Sequence, residues 1–299
     1  MWKDLRFTKM QGTGNDYVYI NCFEEQVDNP EALAPAISDR HFGVGADGLV
    51  LIMPSGTADA RMRMFNADGS EAQMCGNAIR CVGKYARDRG IVSNDVVRIE
   101  TAVGIKIVRL RREGGEVAGA TVDMGEPELR PDSIPVAVPK QMLAENSMPE
   151  KRVVGLPLEV EGRSYAFTAV SMGNPHAVVF VQDIQDLDLQ HLGPLFEHHP
   201  YFPQRVNAEF VEILSSAGIR MRVWERGTGE TLACGTGACA AVVAAVLNKR
   251  TCRDVDVNLA GGVLHVNWNE SDGHVYMTGA AANVFEGVYH YRLSVARTV

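Results

Sequence analysis

Met74-Cys75-Gly76-Asn77-Ala78 and Ala233-Cys234-Gly235-Thr236-Gly237-Ala238 are two versions of one pattern, set 159 residues apart. The same shift carries Arg61-Met62-Arg63-Met64-Phe65-Asn66 onto Arg220-Met221-Arg222-Val223-Trp224-Glu225 without a gap. It also carries Glu71 onto Glu230 and Gly14-Asn15 onto Gly173-Asn174. The chain therefore reads as one unit written twice, each copy presenting one cysteine. Farther along, the match needs small deletions, with Gly104 meeting Gly262 and Gly125 meeting Gly279.

Each copy predicts the same order of elements. Strand-like stretches flank a turn rich in glycine and asparagine, Gly12-Thr13-Gly14-Asn15-Asp16, in the first copy. A helix over 31–40 follows Pro30, and strands are expected over 49–53 and 60–65. A helix over 75–89 ends at Gly90. The second copy repeats this with strands over 165–170, 177–181, 207–214 and 219–224 and a helix over 234–247. That last helix is apolar on nearly every face, from Ala238 to Leu247, as an enclosed helix should be. The expected fold is α/β (α+β): two pseudo-symmetric domains, each a central helix wrapped by a curved, mostly antiparallel sheet. The boundaries read as 1–131 plus 280–299 for the half carrying Cys75, and 132–279 for the half carrying Cys234. The proline-rich stretch 131–161 matches nothing in the first half and reads as linker plus insertion. The final strand, over 288–296, is expected to return to the first domain.

A length of 299 residues suits two domains, and 46% hydrophobic with 22% charged residues is the balance of a soluble globular protein. The net charge of −8, without a basic cluster, argues against a nucleic-acid partner. No apolar run approaches the roughly 20 residues of a membrane span. No secretory signal is visible, so the cytoplasm is the expected compartment. Cysteines at 22, 75, 81, 234, 239 and 252 are too sparse for a disulfide scaffold. They form no Cys-x-x-Cys spacing, so no metal site is expected. Gly43-Val44-Gly45-Ala46-Asp47-Gly48 has the dinucleotide spacing, but it follows a helix and opens a strand, the reverse of the required context. It reads as a tight turn, and no cofactor is expected.

Cys75 and Cys234 each start a helix, where unpaired amides and partial positive charge favour a thiolate or a bound carboxylate. The glycine after each admits a ligand to the backbone. On a helix advancing 100° per residue, Cys81 points roughly 240° from Cys75 and Cys239 roughly 140° from Cys234. Those two read as core packing, as do Cys22 and Cys252. One cysteine alone is more often a buried filler; two at matched positions suit a different use. The α-hydrogen of an amino acid is a very weak acid, and one base returns a proton to the face it left. Inversion without turning the substrate needs a second acid on the opposite face.

Asn15, Asn66, Asn174 and Asn207 lie in turns around the cysteine loops and are candidates for polar contact with a substrate. Glu225-Arg226 replaces Asn66-Ala67 at the duplicated site, which breaks the symmetry where a ligand with two unlike ends requires it. Arg226 suits a carboxylate and Glu225 an ammonium. His176 is a candidate for tuning a thiol. His191, His198 and His199 lie in a stretch that reads as irregular and solvated.

In these residues the chain resembles the diaminopimelate epimerase family. The likeness runs through Gly12 to Tyr17, Gly45 to Gly48, Met64 to Ser70, Met74 to Asn77, Gly173 to His176, Val206-Asn207, Glu225 to Gly227 and Ala233 to Gly237. The resemblance implies a cofactor-independent enzyme, usually a homodimer, interconverting L,L- and meso-diaminopimelate on the route to lysine and peptidoglycan. Carried over, Cys75 is the proton donor and Cys234 the proton acceptor. Asn15, Asn66, Asn174, Asn207, Glu225 and Arg226 bind the substrate with the backbone at Gly76-Asn77 and Gly235-Thr236, and His176 and Glu225 modulate the thiols. Many members have glutamine where this chain has Gly48. Proline racemases and hydroxyproline epimerases look similar in fold and thiol pair. They typically show histidine after the first Cys-Gly, where Asn77 stands here, and their small cyclic substrates do not call for Glu225 and Arg226. A non-catalytic protein that kept the fold is the other alternative, and retention of both cysteines weighs against it.

Overall fold

The computed structural model describes residues 2–145 and 152–292. The chain divides into two compact units: the first runs to Val122 and resumes at Ala280, and the second is Asp123–Gly279. In the first, β1 (Trp2–Gly12) and β2 (Asn15–Asn21) form a hairpin, followed by α1 (Pro30–Ser38) and by β3 (Gly48–Met53), which lies parallel to β2. β4 (Ala60–Asn66) is antiparallel to β3, and the short β5 (Glu71–Ala72) folds back on β4 before α2 (Gly76–Asp88). β6 (Val96–Thr101) joins β4 in parallel, and β7 (Gly104–Glu113) and β8 (Glu116–Asp123) continue antiparallel.

The second unit contains α3 (Lys140–Glu145), β9 (Leu156–Val160), β10 (Arg163–Ser171), β11 (Pro175–Phe180) and α4 (Leu189–Glu197). It continues with β12 (Asn207–Ser215), β13 (Gly218–Glu225), β14 (Gly229–Thr231), α5 (Gly235–Leu247), β15 (Asp254–Leu259), β16 (Gly262–Trp268) and β17 (Val275–Ala280). From β10 onward its pairing repeats that of β1 to β7: antiparallel, parallel, antiparallel, antiparallel, parallel, antiparallel. Register repeats as well. Tyr17 faces Gly48 as His176 faces Asn207, and Phe65 faces Glu71 as Trp224 faces Glu230. The small deletion falls after the helix, where Ala60 faces Ile99 but Ile219 faces Val257.

α5 packs against β10, β11, β12, β13, β15 and β16, and every residue from Ala238 to Ala245 is fully buried. Each valine so buried contributes roughly 1.5–3 kcal/mol of transfer free energy. α2 is held likewise by β1, β2, β4, β6 and β7, but it also buries Arg80 completely. Among the described residues, no helix is long and apolar enough to cross a membrane.

Three expectations change. The stretch 131–161 is not wholly an insertion: β9 pairs antiparallel with β10, as β18 (Ala282–Arg292) pairs with β1. The flanking strand comes before β10 in one copy and from the far end of the chain in the other, so a linear comparison misses the match. Residues 146–151 of that stretch, and 293–296 of the expected final strand, lie outside the described residues. The histidine-rich stretch is ordered as α4, which Asp188 caps by accepting from the His191 amide at 3.2 Å. Gly193 and Pro194 disguise this helix in the sequence. Gly193 is needed because an added Cβ would sit 2.1 Å from the Trp224 ring. His199 is only half-buried and packs on Tyr201 and Phe202, and burial pushes its imidazole down. Cys252 is exposed, donating to the Asp254 carbonyl at 3.0 Å, so it is not core packing; Cys22 is half-buried, whereas Cys81 and Cys239 are fully buried.

Candidate active site

Both cysteines occupy the N-cap of the central helix of their unit, with extended backbone, and the glycine that follows opens the helix. An N-cap leaves first-turn amides without intrahelical partners. Their surroundings differ. Cys75 is half-buried, and its Sγ donates to Asn15 Oδ1 at 3.3 Å. Asn15 Nδ2 in turn donates to Asp47 Oδ2 at 2.8 Å, and Arg40 bridges Asp47 and Asp16 at 2.9 Å each. Burial pushes the Asp47 carboxyl up, and the Asp16 charge adds to the effect. Beneath the start of α2, Arg80 donates to the Gly76 carbonyl at 3.1 Å, Asn77 Oδ1 at 2.9 Å and Thr13 Oγ1 at 3.0 Å. A fully buried guanidinium thus stands where the second copy has Cys239.

Cys234 is buried. Its Sγ accepts from the Gly237 amide at 3.4 Å and lies 3.5 Å from Thr236 Oγ1. These contacts favour a thiolate, as the helix start predicts, but they lose to stronger effects. Burial first, then the charges of Glu225 and Glu209, push this thiol well above the ordinary cysteine range. In the free chain Cys234 therefore carries its proton.

Asn174 and His176 come together: His176 Nε2 lies 3.0 Å from Asn174 Oδ1, and its Nδ1 lies 2.6 Å from Glu209 Oε1. Asn207 is buried; its Nδ2 donates to the Pro175 carbonyl at 2.9 Å and its Oδ1 accepts from the Arg226 amide at 2.9 Å. It anchors the Glu225-Arg226 turn, and one amide hydrogen is left for a ligand. Glu225 accepts from the Thr231 hydroxyl, and Arg226 is exposed with Nη1 on the Gln204 carbonyl at 3.0 Å. Asn66 is exposed at the end of β4 and donates to Ser70 Oγ at 3.0 Å. At Gly48 an added Cβ would fall 2.1 Å from the Phe65 carbonyl oxygen, so the backbone fills the space a longer side chain would need.

Sequence reasoning missed three residues. Glu209 interrupts the apolar run of β12 and His176 that of β11, and this pair of interruptions was a readable signal. Arg80 likewise interrupts a mostly apolar helix. Glu197 carried no signal: it accepts from Trp224 Nε1 at 2.8 Å and the Gly227 amide at 3.0 Å, and so braces the Glu225-Arg226-Gly227 turn. Among the described residues, no group of histidine, cysteine or carboxylate side chains is suited to a metal.

The doubled fold is also that of solved racemases and epimerases. A hydroxyproline epimerase from Agrobacterium vitis matches with a TM-score of 0.67 over 99% of this chain and 94% of its own, at 14% identity, a likeness of fold alone. Sequence is more specific. The diaminopimelate epimerase family model matches residues 7–130 and 168–284. A diaminopimelate epimerase of Desulfovibrio desulfuricans is 64% identical over 96% of this chain and 98% of its own length. One of Acetivibrio thermocellus is 56% identical over 95% and 98%. The chain belongs to the diaminopimelate epimerase family.

Proposed function

We propose that this chain interconverts L,L- and meso-diaminopimelate by passing protons through Cys75 and Cys234, on the route to lysine and peptidoglycan precursors. The observation that supports this reading best is the matched placement of the two thiols, each at the N-cap of a central helix. One thiolate removes the α-hydrogen and the other thiol delivers a proton to the opposite face. Helix-start amides at Gly76-Asn77 and Gly235-Thr236 receive the α-carboxylate, where charge gathers as the carbanion forms. Asn15, Asn66, Asn174 and Asn207 supply polar contacts. Glu225 receives an ammonium and Arg226 a carboxylate.

Cys75 acts as donor and Cys234 as acceptor from the L,L side. The acceptor role needs the Cys234 proton to leave, and an ammonium on Glu225 removes one of the charges that hold it. No cofactor enters this scheme, because the thiol pair supplies both proton positions. The protein works in the cytoplasm as a homodimer on a small-molecule substrate. The test is conversion of L,L-diaminopimelate by purified, pyridoxal-free protein, followed by NMR, with L-proline as control. Turnover of diaminopimelate alone is expected, and turnover of proline alone would overturn the substrate assignment.

A further inference from the structure

Resting on that reading, we propose that Glu209 is a positioning residue that joins Asn174, through His176, to the ionisation of Cys234. Three observations converge. First, His176 and Glu209 are both fully buried and meet at 2.6 Å, so they hold one proton between them, out of reach of water. Second, Glu209 Oε2 is buried and, among the described residues, has no hydrogen-bond partner. Such an atom is costly to keep, and an ionisable neighbour is one reason to keep it. Third, an ideal Cβ on Gly237 would sit 2.8 Å from Glu209 Oε1 and 3.3 Å from Cys234 Sγ. Glycine at the start of α5 is therefore what lets a carboxyl on β12 approach the thiol.

The groups facing this carboxyl are His176 from β11, Glu225 at the end of β13 and the Cys234 thiol capping α5. The position of the shared proton sets the charge the thiol faces. With the proton on His176 Nδ1, Glu209 is anionic and opposes the thiolate. When the proton moves along the 2.6 Å contact to Glu209, both partners become neutral and that opposition ends, with no proton gained or lost by the pair. His176 Nε2 meanwhile holds Asn174, so a ligand drawing on Asn174 acts on the same proton. The first copy has Tyr17 and Val50 at the matched positions and lacks the device.

The test is the pH dependence of Cys234 alkylation by iodoacetamide in the full chain, read by peptide mass mapping. Glu209→Gln keeps the shape and removes the charge; it should lower the alkylation midpoint by about one pH unit, the size of a single nearby charge. The pH profile of kcat for diaminopimelate should move in the same direction. Glu209→Asp, which keeps the charge, should leave the midpoint high. An unmoved midpoint in a folded Glu209→Gln protein would overturn the proposal. If that variant does not fold, wild-type protein carrying glutamate labelled with 13C at Cδ answers the question: a carboxyl titrating in step with the Cys234 thiolate supports it, and its absence refutes it. Alkylation needs no substrate, so a chain inactive on diaminopimelate would defeat the proposed function without touching this measurement.

Discussion

The two cysteine sites were built from one plan and then given different polar surroundings. At Cys75 the thiol donates to Asn15, which Asp47 holds in turn, while the buried Arg80 beneath the start of α2 donates to Gly76, Asn77 and Thr13. At Cys234 the buried neighbour is the Glu209 carboxyl, with Glu225 beyond it, and the thiol is pushed up. Backbone pairing and register are shared, so the difference lies in a handful of side chains at matched positions: Tyr17 and His176, Val50 and Glu209, Asn66 and Glu225, Arg80 and Cys239. Duplication supplies two thiols; divergence decides what surrounds each.

The largest expected effect breaks the comparison outright. Cys75→Ala and Cys234→Ala should each lower racemisation at least about 10³-fold, the scale of losing a general acid or base. Circular dichroism should show an intact fold in both. An active single variant would remove the need for a pair. Arg226→Ala comes next, because its counterpart Ala67 carries no charge. Loss of a charged hydrogen bond of about 1.5–3 kcal/mol should raise KM for diaminopimelate roughly 10- to 100-fold while changing kcat little. Equal losses in both constants would assign Arg226 to the transition state instead.

Gly48 and Asn207 sharpen the comparison at the level of stability. They occupy the same place in their units, yet only one tolerates a side chain. Gly48→Asn should destabilise the protein by about 1–3 kcal/mol, the cost of overpacking, since its Cβ would meet the Phe65 carbonyl at 2.1 Å. Thermal unfolding measures this, and an unchanged Tm would show that the β3–β4 backbone shifts freely. The smallest effect belongs to Cys252→Ser, which should leave stability within about 0.5 kcal/mol and activity unchanged, as befits an exposed side chain.

Much of this was legible in the sequence because it depended on spacing. A shift of 159 residues found the repeat, and the apolar faces of 238–247 revealed an enclosed helix. What escaped was set by contacts distant along the chain. β9 found no match because its counterpart β18 lies at the other end of the first unit. α4 was hidden because Gly193 is there for the Trp224 ring rather than for the helix. The Cys234 thiol was expected to be lowered by its helix start; only the folded chain reveals the burial, and after it the two carboxylates, that outweigh it.

Isotope placement during the first turnovers in deuterated water tests the pairing of thiols most directly. Starting from L,L-diaminopimelate, the account predicts deuterium at the inverted α-carbon of the meso product, while recovered L,L substrate stays unlabelled. Deuterium appearing in recovered substrate as fast as in product would mean that a single base serves both faces, and the account would be wrong.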